Sequence, residues 1–584
     1  MHNNLWTPRG TTQSEQFLAD YAERLEISPL LVLLLGNRGM SKLEDMELFL
    51  NPGLRHLASL EDWPGLDEAA TLLCKAVLEG ETIGIWGDYD VDGITSTALL
   101  IDFFTQHSVQ CLHHIPNRLE EGYGLNREHI LLLAQQGVTT FITVDSGISD
   151  VDAITYAKEL GLKVVITDHH LPGEILPPAD AIVNPRLAAC PCPALAGVGV
   201  AFFLAAALNA KLAAISRPKI DVRTLLDLVA LGTLADVVNV SGQNRILIKN
   251  GLLSLSEGHR PGIAALKSVC NFAPAAALDA GQVVFSLAPR INAAGRMGSS
   301  DIALELLLCN DFVRAEQLAQ ELALLNTSRR EEEDTIFQSA LAQAEVEAGK
   351  GRTGLVLHDE SWHPGIIGIV ASRIAEKFHC PTVVLTSTQG FCKGSGRSFG
   401  NFHLHEAFVS ASDLLLGYGG HRMAAGLSLA PDNLEPFRQR FDALVKNALG
   451  QEPPQGQCSI DAVLSFAVAS RFTILKELEL LQPFGSGNAE PVFASPPVRV
   501  KNILSRPGFC SLDLVDEQSG ITLRAKAWRD LANFPANLKG QRIRIAYSPR
   551  IDRYNGAANV ELRIKDWKPA TELVPNLPVA PEMG

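Results

Sequence analysis

Short apolar runs rich in β-branched residues alternate with longer runs of helical spacing between residues 81 and 235. Strands are predicted at residues 83–86, 110–115, 141–144 and 164–167, and helices at 94–106, 127–136, about 150–160, 198–213 and 223–235. Parallel strands joined by crossover helices produce this alternation. The pattern therefore predicts a doubly wound α/β domain with a parallel sheet.

The pattern changes along the rest of the chain. Residues 1–70 have helical spacing, and residues 301–349 are rich in Leu, Ala and Glu without Pro or Gly before the end, which predicts one long connector helix. A second α/β unit follows, with strands predicted at 353–358 and 382–387, a helix from about Pro364 to Phe378, and glycine-rich loops at 394–400 and 417–420.

The last part of the chain holds five short β-like runs, at residues 498–504, 509–515, 521–528, 541–547 and 559–565. Five strands in about 70 residues are typical of an OB-type β-barrel. The predicted domain order is a helical segment (1–70), a first α/β domain (71–300), a connector helix (301–350), a second α/β domain (351–452), an OB-like domain (453–570) and a tail (571–584).

Composition indicates a globular chain whose positive charge is local. Of 584 residues, 46% are hydrophobic and 20% charged, and the net charge is −15. Residues 498–568 nevertheless carry 14 Lys and Arg against 7 Asp and Glu. Phe509, Trp528, Tyr547 and Tyr554 lie among these bases, a combination that suits single-stranded nucleic acid. The alternative is an ordinary small barrel whose aromatic residues fill its core.

The cysteines and the apolar runs favour a protein of the reducing cytoplasm. Ten cysteines are scattered and only Cys190 and Cys192 lie close together, so neither a disulfide framework nor a paired C-x-x-C zinc site is visible. The first residues lack a basic segment followed by an apolar one, and the apolar run at 197–208 is short of the ~20 residues of a membrane span. We expect a cytoplasmic protein without a membrane segment.

Alternating carboxylates follow the first predicted strand of the sheet, in Asp88-Tyr89-Asp90-Val91-Asp92-Gly93. Two carboxylates about 4 Å apart repel by about 4 kcal/mol at an effective dielectric constant near 20, so such a cluster favours a cation. An EF-hand loop also begins in this way, but it needs Glu at its twelfth position, where this chain has Leu99. The alternative to a metal site is a turn that only caps its helix.

Further acids and imidazoles follow the neighbouring elements: Asp145, then Asp168-His169-His170, then Asp236. The carboxyl ends of parallel strands share one edge of a sheet, where ligands bind. Carboxylate and imidazole together suit Mn²⁺ or Mg²⁺, and two such ions serve phosphoester hydrolysis. The residues therefore predict a two-metal phosphoesterase.

These segments resemble the successive motifs of the DHH phosphoesterases: Asp88-Tyr89-Asp90-Val91-Asp92-Gly93, Val144-Asp145-Ser146-Gly147, Asp168-His169-His170 and Gly232-Thr233-Leu234-Ala235-Asp236. The second α/β unit is similar to their DHHA1 domain in Gly394-Ser395-Gly396-Arg397-Ser398 and Gly417-Tyr418-Gly419-Gly420-His421. With the OB-like domain added, nearly the whole chain resembles the RecJ branch of that family, single-strand-specific 5′-to-3′ DNA exonucleases.

The resemblance implies metal ligands and neighbours at numbered positions. Asp88, Asp90, Asp92, Asp145, His169 and Asp236 would hold two Mn²⁺ or Mg²⁺ ions. His170 would be a further ligand or lie against the scissile phosphate, and Asp168 would orient an imidazole. Small DHH pyrophosphatases have His four residues before the first Asp of a D-x-D pair, whereas this chain has Trp86 before Asp90, which favours the RecJ branch.

Candidate substrate contacts are spread over three domains. Arg118 and Tyr123 follow a strand end and offer a guanidinium and a stacking face, or form a packed turn. Arg290 and Arg296 contact phosphates or pair with acids of the connector. The other candidates are Arg373, Arg397 and His421, which by resemblance would grip the strand and its 5′ end, and Trp528 in the OB-like domain.

We therefore expect a metal-dependent 5′-to-3′ exonuclease for single-stranded DNA. The resemblance further implies work in recombination and repair beside a helicase and the single-strand-binding protein. Alternatives are a DHH phosphodiesterase for small nucleotides, which needs no basic barrel, and a non-catalytic DNA-bound scaffold, which would have lost metal ligands. No Walker lysine pattern or G-x-G-x-x-G follows Gly394, so use of ATP or NAD is not supported.

Overall fold

The computed structural model divides into two compact units, residues 53–454 and residues 1–52 with 455–584. The residues that it describes are 4–10, 13–118, 120–122, 124–187, 190–388, 390–451, 455–532, 534–553, 558–572, 574–575 and 577–581, without the side chains of 62, 529, 530 and 536.

The first sheet of the larger unit is five-stranded and parallel throughout. Its strands lie in the order Cys111–His114, Thr82–Trp86, Val138–Val144, Lys163–Thr167 and Ala181–Val183. Thr82–Trp86, which comes first in the chain among the strands of this sheet, therefore lies between the second (Cys111–His114) and the third (Val138–Val144). The strand order reverses at this point. In open α/β sheets this reversal point is where ligands bind. The parallel sheet is confirmed, and the three-residue strand Ala181–Val183 was not predicted.

Helices cover both faces of this sheet, which confirms the doubly wound architecture. One face packs on Leu66–Glu79, Val91–Gln106 and Gly197–Ala214, and the other on Arg127–Gln135 and Val151–Glu159. The domain continues with Leu226–Ala235, Gly242–Glu257, Pro261–Val269, Ala280–Gln282, Ala288–Met297 and Asp301–Leu308. Gly197–Ala214 is long and apolar enough to cross a membrane, but 72% of it is buried within the protein.

The connector helix spans Phe312–Gly349 and does not include residues 301–311, so the prediction of one helix from 301 was wrong. Asp311 has extended backbone, and its side chain accepts a hydrogen bond from Arg314 N at 2.7 Å. This cap starts a new helix after the separate helix Asp301–Leu308. The break contains no Pro or Gly, and only the capping Asp marked it in the sequence.

The second α/β domain has a mixed sheet in the order Gly417–Gly420, Ala424–Leu429, Phe391–Arg397, Thr382–Thr388 and Leu355–His358. Its helices are Ile367–Phe378, Leu404–Val409 and Leu434–Leu449. The predicted helix from about Pro364 to Phe378 is confirmed, with its start three residues later, at Ile367.

Residues 394–397 and 417–420 of the glycine-rich segments are in strands, so the prediction of loops was wrong there, whereas residues 398–400 do lie outside the strands. Gly394 lies between two leucine side chains: a Cβ at this position would come within 2.6 Å of Leu385 and 2.9 Å of Leu427. The glycines therefore allow close packing of a strand, and they do not form a phosphate-binding loop.

The smaller unit joins the first residues of the chain to the last domain. The strand Leu5–Pro8 runs parallel to Gln457–Ile460, so the N-terminal segment is not all helical as predicted. Helices follow at Glu15–Leu25, Pro29–Gly36 and Leu43–Leu50, and in the C-terminal part at Phe466–Ala469 and Phe472–Leu480. Short strands Ala462–Val463 and Phe493–Ala494 precede the barrel strands.

The five predicted strands of the last domain are confirmed, at Val498–Arg506, Phe509–Val515, Thr522–Trp528, Arg542–Asp552 and Asn559–Pro569. Each of these strands pairs with two others of the five, so the five strands form a closed ring of pairings. The third and the fifth strand pair in parallel. This closed five-strand pairing is the OB topology.

Candidate metal centre

The acidic run after Thr82–Trp86 lies at the reversal point of the first sheet. Asp90 caps the helix Val91–Gln106, because its Oδ1 accepts hydrogen bonds from Asp92 N at 2.9 Å and Gly93 N at 3.1 Å. The capping interpretation thus holds for one oxygen of Asp90. Asp88 and Asp92 are also buried, and capping of this helix does not explain these two further carboxylates.

Asp92 is 1% exposed, and its carboxylate accepts hydrogen bonds from the N-terminus of the helix Gly197–Ala214. Gly197 N donates to Oδ2 at 2.6 Å and Val198 N donates to Oδ1 at 2.9 Å. The positive end of the helix dipole favours a carboxylate there. Burial and the negative charge of Asp90 still raise the pKa of Asp92 to about 7.

Asp145 follows the adjacent strand and has left-handed backbone, with φ of +57°. Its Oδ1 lies 3.0 Å from His169 Nε2, yet in the described part of the chain neither atom makes a hydrogen bond. A Cβ on Gly197 would lie 2.7 Å from both Cβ and Oδ1 of Asp145. The glycine is therefore needed for the helix to approach this carboxylate.

His169 is neutral, and Asp236 lies beside it. Burial, and then the charge of His170, lower the pKa of His169 to about 4. Its Nε2 is 3.7 Å from Asp236 Oδ2, which also lacks a hydrogen-bond partner among the described residues. Burial and the charge of Asp92 raise the pKa of Asp236 to about 9.

Asp168 has its oxygens occupied within the fold. Its Oδ1 accepts from His170 Nδ1 at 2.7 Å and from two backbone N–H groups, and Oδ2 accepts from Ile148 N at 3.0 Å. Burial raises the pKa of Asp168, but these bonds, chiefly from His170, outweigh it and the pKa is lowered. Although burial lowers the pKa of His170, the bond to Asp168 raises it to about 9, so this ring is charged at neutral pH.

The donor atoms fall into three overlapping groups, each with its atoms within 4.8 Å of one another. Asp145 and His169 belong to two groups each, so the groups form one continuous cluster that fits two neighbouring ions. Buried oxygens and ring nitrogens without hydrogen bonds, on Asp145, His169 and Asp236, are the atoms a cation would take. The groups are Asp88, Asp90 and Asp145; Asp92, His169 and Asp236; and Asp145, His169 and His170.

A fourth group of donors, His114, Glu121 and His129, was not predicted. Glu121 Oε2 lies 2.9 Å from His114 Nε2 and 3.1 Å from His129 Nδ1, and it accepts from Asn126 Nδ2 at 2.7 Å. These mutual contacts satisfy the cluster internally. The cluster therefore fixes the loop that carries Arg118 and does not offer a vacant cation site.

Three of the predicted arginines come together from two domains. Arg118 lies over the ring of Tyr89 at 5.0 Å, Arg296 Nη1 donates to the Gly365 carbonyl at 3.0 Å, and Arg397 bonds within its own strand. Burial, and then the charges of neighbouring arginines beginning with Arg118, lower the pKa of Arg296 to about 10 and lower that of Arg397. Gathered positive charge of this kind suits an anion.

Two other predicted arginines are used within the fold. Arg290 donates to the carbonyls of Ser286 at 2.6 Å and Val269 at 3.3 Å, which is neither of the roles foreseen. Arg373 donates to Glu333 at 2.9 Å and Asp334 at 2.8 Å on the connector. Tyr123 lies outside the described residues.

His421 is an exposed residue of the second α/β domain. Burial, and then the charge of His170, lower the pKa of His421. Its backbone N–H donates to the Ala424 carbonyl at 2.8 Å, which closes the turn between two strands.

In the OB-like domain, Trp528 is half-buried with Arg550 and Arg563 each 5.7 Å from its ring. Tyr547 is fully buried and its hydroxyl donates to the Leu464 carbonyl, so this ring cannot stack on a base. The core-filling interpretation is therefore right for Tyr547. Tyr554 lies outside the described residues.

Three family models match the chain. The DHH family N-terminal domain matches residues 82–233, the DHHA1 domain matches 351–447, and the RecJ OB domain matches 460–566.

Curated relatives and a solved structure agree with these matches. "Single-stranded-DNA-specific exonuclease RecJ" of Dickeya dadantii is 42% identical over 487 residues, covering 80% of this chain and 83% of the relative. The protein of the same name from Escherichia coli is 39% identical over 490 residues, with 80% and 83% covered. The crystal structure of RecJ in complex with Mn²⁺ from Thermus thermophilus superposes with a TM-score of 0.81 at 31% identity, covering 98% of this chain and 80% of that one.

Proposed function

The chain belongs to the RecJ family, and we propose that it is a metal-dependent exonuclease that degrades single-stranded DNA from its 5′ end. The single observation that carries this proposal is the continuous cluster of carboxylate oxygens and neutral imidazole at the reversal point of the first sheet. Relatives of known name at 39–42% identity support the substrate.

Two ions of Mn²⁺ or Mg²⁺ would be held by the six predicted ligands: Asp88, Asp90, Asp92, Asp145, His169 and Asp236. When bound, the ions supply Lewis acidity for in-line displacement at phosphorus. Asp92 is fixed by the N-terminus of a helix, and the low pKa of His169 keeps its ring in the neutral form that a metal needs.

Charged residues around the cluster position the phosphate. Asp168 holds the His170 ring through Nδ1, and the positive charge of that ring faces an incoming phosphodiester. The cluster of Arg118, Arg296 and Arg397 grips a phosphate at the 5′ end of the strand. In this assignment residues 71–300 cut the strand, 351–452 hold its end, and 453–570 bind it through Trp528 and the surrounding arginines.

The wider setting follows from the family. We infer that the protein acts in DNA recombination and repair in the cytoplasm, on single strands prepared by a helicase and covered by single-strand-binding protein. Contact of Arg290 and Arg373 with DNA is also part of this proposal, although both guanidinium groups already make hydrogen bonds within the fold.

The test uses an oligonucleotide labelled at its 3′ end, with Mn²⁺ or Mg²⁺, beside its duplex, an RNA copy and a dinucleotide. We expect a ladder of shortened 3′-labelled single strands that the Asp145→Ala variant does not produce. Cleavage of the dinucleotide alone would instead indicate a phosphodiesterase for small nucleotides. Absence of any metal-dependent cleavage would indicate a non-catalytic scaffold.

A further inference from the structure

Arg186 lies beside the metal centre and belongs to none of the motifs in the sequence. It follows the edge strand Ala181–Val183 by three residues, and its side chain is exposed. Its Nε donates to the His169 carbonyl at 2.6 Å, which ties the guanidinium to the backbone of a candidate metal ligand.

The backbone of Arg186 is fixed to the same place by a second contact. Arg186 N donates to Asn184 Oδ1 at 2.8 Å, and Asn184 Nδ2 donates to the His170 carbonyl at 3.0 Å. Asn184, which makes both of these contacts, is buried. The backbone and the Nε of Arg186 are thus both held, directly or through Asn184, by the backbone of His169 and His170.

The Nη groups of Arg186 make no hydrogen bond or ion pair in the part of the chain that the structure describes. The positive guanidinium nevertheless lies near the cluster, because its Nε is bound to the carbonyl of His169, whose ring nitrogen Nε2 is 3.7 Å from Asp236 Oδ2. The same charge acts on His421 of the second α/β domain.

We propose that Arg186 is a substrate-contacting residue whose Nη groups bind a phosphate of the single strand at the metal centre. The inference rests on the proposed nuclease function. A planar guanidinium fixed through Nε presents its remaining N–H groups as a fork, the geometry that suits two phosphate oxygens. Lysine at this position would keep the positive charge, but it would lack both the Nε–H that binds the His169 carbonyl and the paired Nη groups.

The experiment compares Arg186→Ala and Arg186→Lys with wild type and with Arg223→Ala, an exposed arginine paired with Asp221. The values of kcat and KM are measured on a 3′-labelled oligonucleotide over a series of NaCl concentrations. We expect Arg186→Ala to lower kcat/KM by about 10- to 100-fold. The slope of log(kcat/KM) against log[NaCl] should become shallower by about 0.7, the value for one lost phosphate contact on a single strand. Arg186→Lys should keep the slope and lose part of the rate.

A structural role would give a different result. If Arg186 only supports the His169 backbone, Arg186→Ala would lower the melting temperature and the stabilisation by Mn²⁺, and the salt slope would stay that of wild type, which would overturn the proposal. Wild-type kinetics in Arg186→Ala would overturn it as well. Failure of the wild-type chain to cut DNA would instead refute the proposed nuclease.

Discussion

His169 Nε2 and Asp145 Oδ1 lie 3.0 Å apart without a hydrogen bond between them. The two residues follow neighbouring parallel strands, Val138–Val144 and Lys163–Thr167, so the sheet brings them to the same edge. A buried carboxylate oxygen and a buried imidazole nitrogen left in this relation cost folding free energy unless a third partner joins them. A divalent cation is such a partner.

Replacement of Asp145 by Asn should separate activity from stability. Asn tolerates the left-handed backbone at this position, so the fold should be kept. We expect Asp145→Asn to lose at least about 100-fold in kcat, since even residues that only orient metal ligands contribute up to that factor. In EDTA the variant should melt at or above the wild-type temperature, because burial and then the charge of Asp92 raise the pKa of Asp145, and Asn removes a carboxyl whose ionised form the metal-free fold disfavours. A clear drop in that melting temperature would contradict this account.

Metal should stabilise the protein more at pH 8 than at pH 5.5. The pKa values of Asp92 and Asp236 are raised from 3.8 to about 7 and about 9 in the metal-free fold. The folded chain therefore holds protons that the unfolded chain releases, and its metal-free stability falls as the pH rises from about 4 through these values. Mn²⁺ needs the ionised carboxylates and offsets their repulsion.

Calorimetric melting with and without Mn²⁺ at the two pH values measures this effect. The expected result is a larger rise in melting temperature at pH 8, and its loss in Asp145→Asn. Equal rises at both pH values would show that the carboxylates are already ionised in the metal-free protein.

Gly197→Ala should damage the metal centre from the helix side. The new Cβ would lie 2.7 Å from Asp145 Oδ1, and the helix would have to move away from Asp92 as well. Gly199→Ala is the matched control, because the three atoms nearest to its Cβ all belong to the side chain of Leu195, the first at 3.1 Å. We expect a loss of Mn²⁺ affinity of about 10-fold or more in Gly197→Ala. Titration of both variants by calorimetry decides, and equal affinities would contradict the role given to Gly197.

Arg397→Ala should weaken the grip on the 5′ end. Its charge is one of three brought together there, and we expect KM to rise about 10-fold for an oligonucleotide with a 5′-phosphate. The change should be smaller for the same strand with a 5′-hydroxyl. Arg373→Ala should have less effect, because Glu333 and Asp334 already occupy that guanidinium. If both variants lose affinity equally, Arg373 also contacts the strand.

Much of the fold was predictable because it depends on local pattern. Alternation of strand and helix determined the parallel sheet, and the acids at strand ends had to meet because those ends share one edge. The five barrel strands were also predictable, because each is a short β-like run in the sequence. The break before Phe312 and the glycine-rich strands were missed, since one capping residue and close packing leave little local signal.

The sequence by itself determined the kind of chemistry, since Asp, His and their spacing after strands specify donors for hard cations. Only the tertiary structure decided which donor atoms lie close enough to share an ion, which arginines are bonded within the fold, and that Arg186 reaches the backbone of His169. These outcomes depend on contacts between residues far apart in the chain or on unpatterned loops. Hydrophobic periodicity records which face of an element is buried, but it does not record which side chain it meets there.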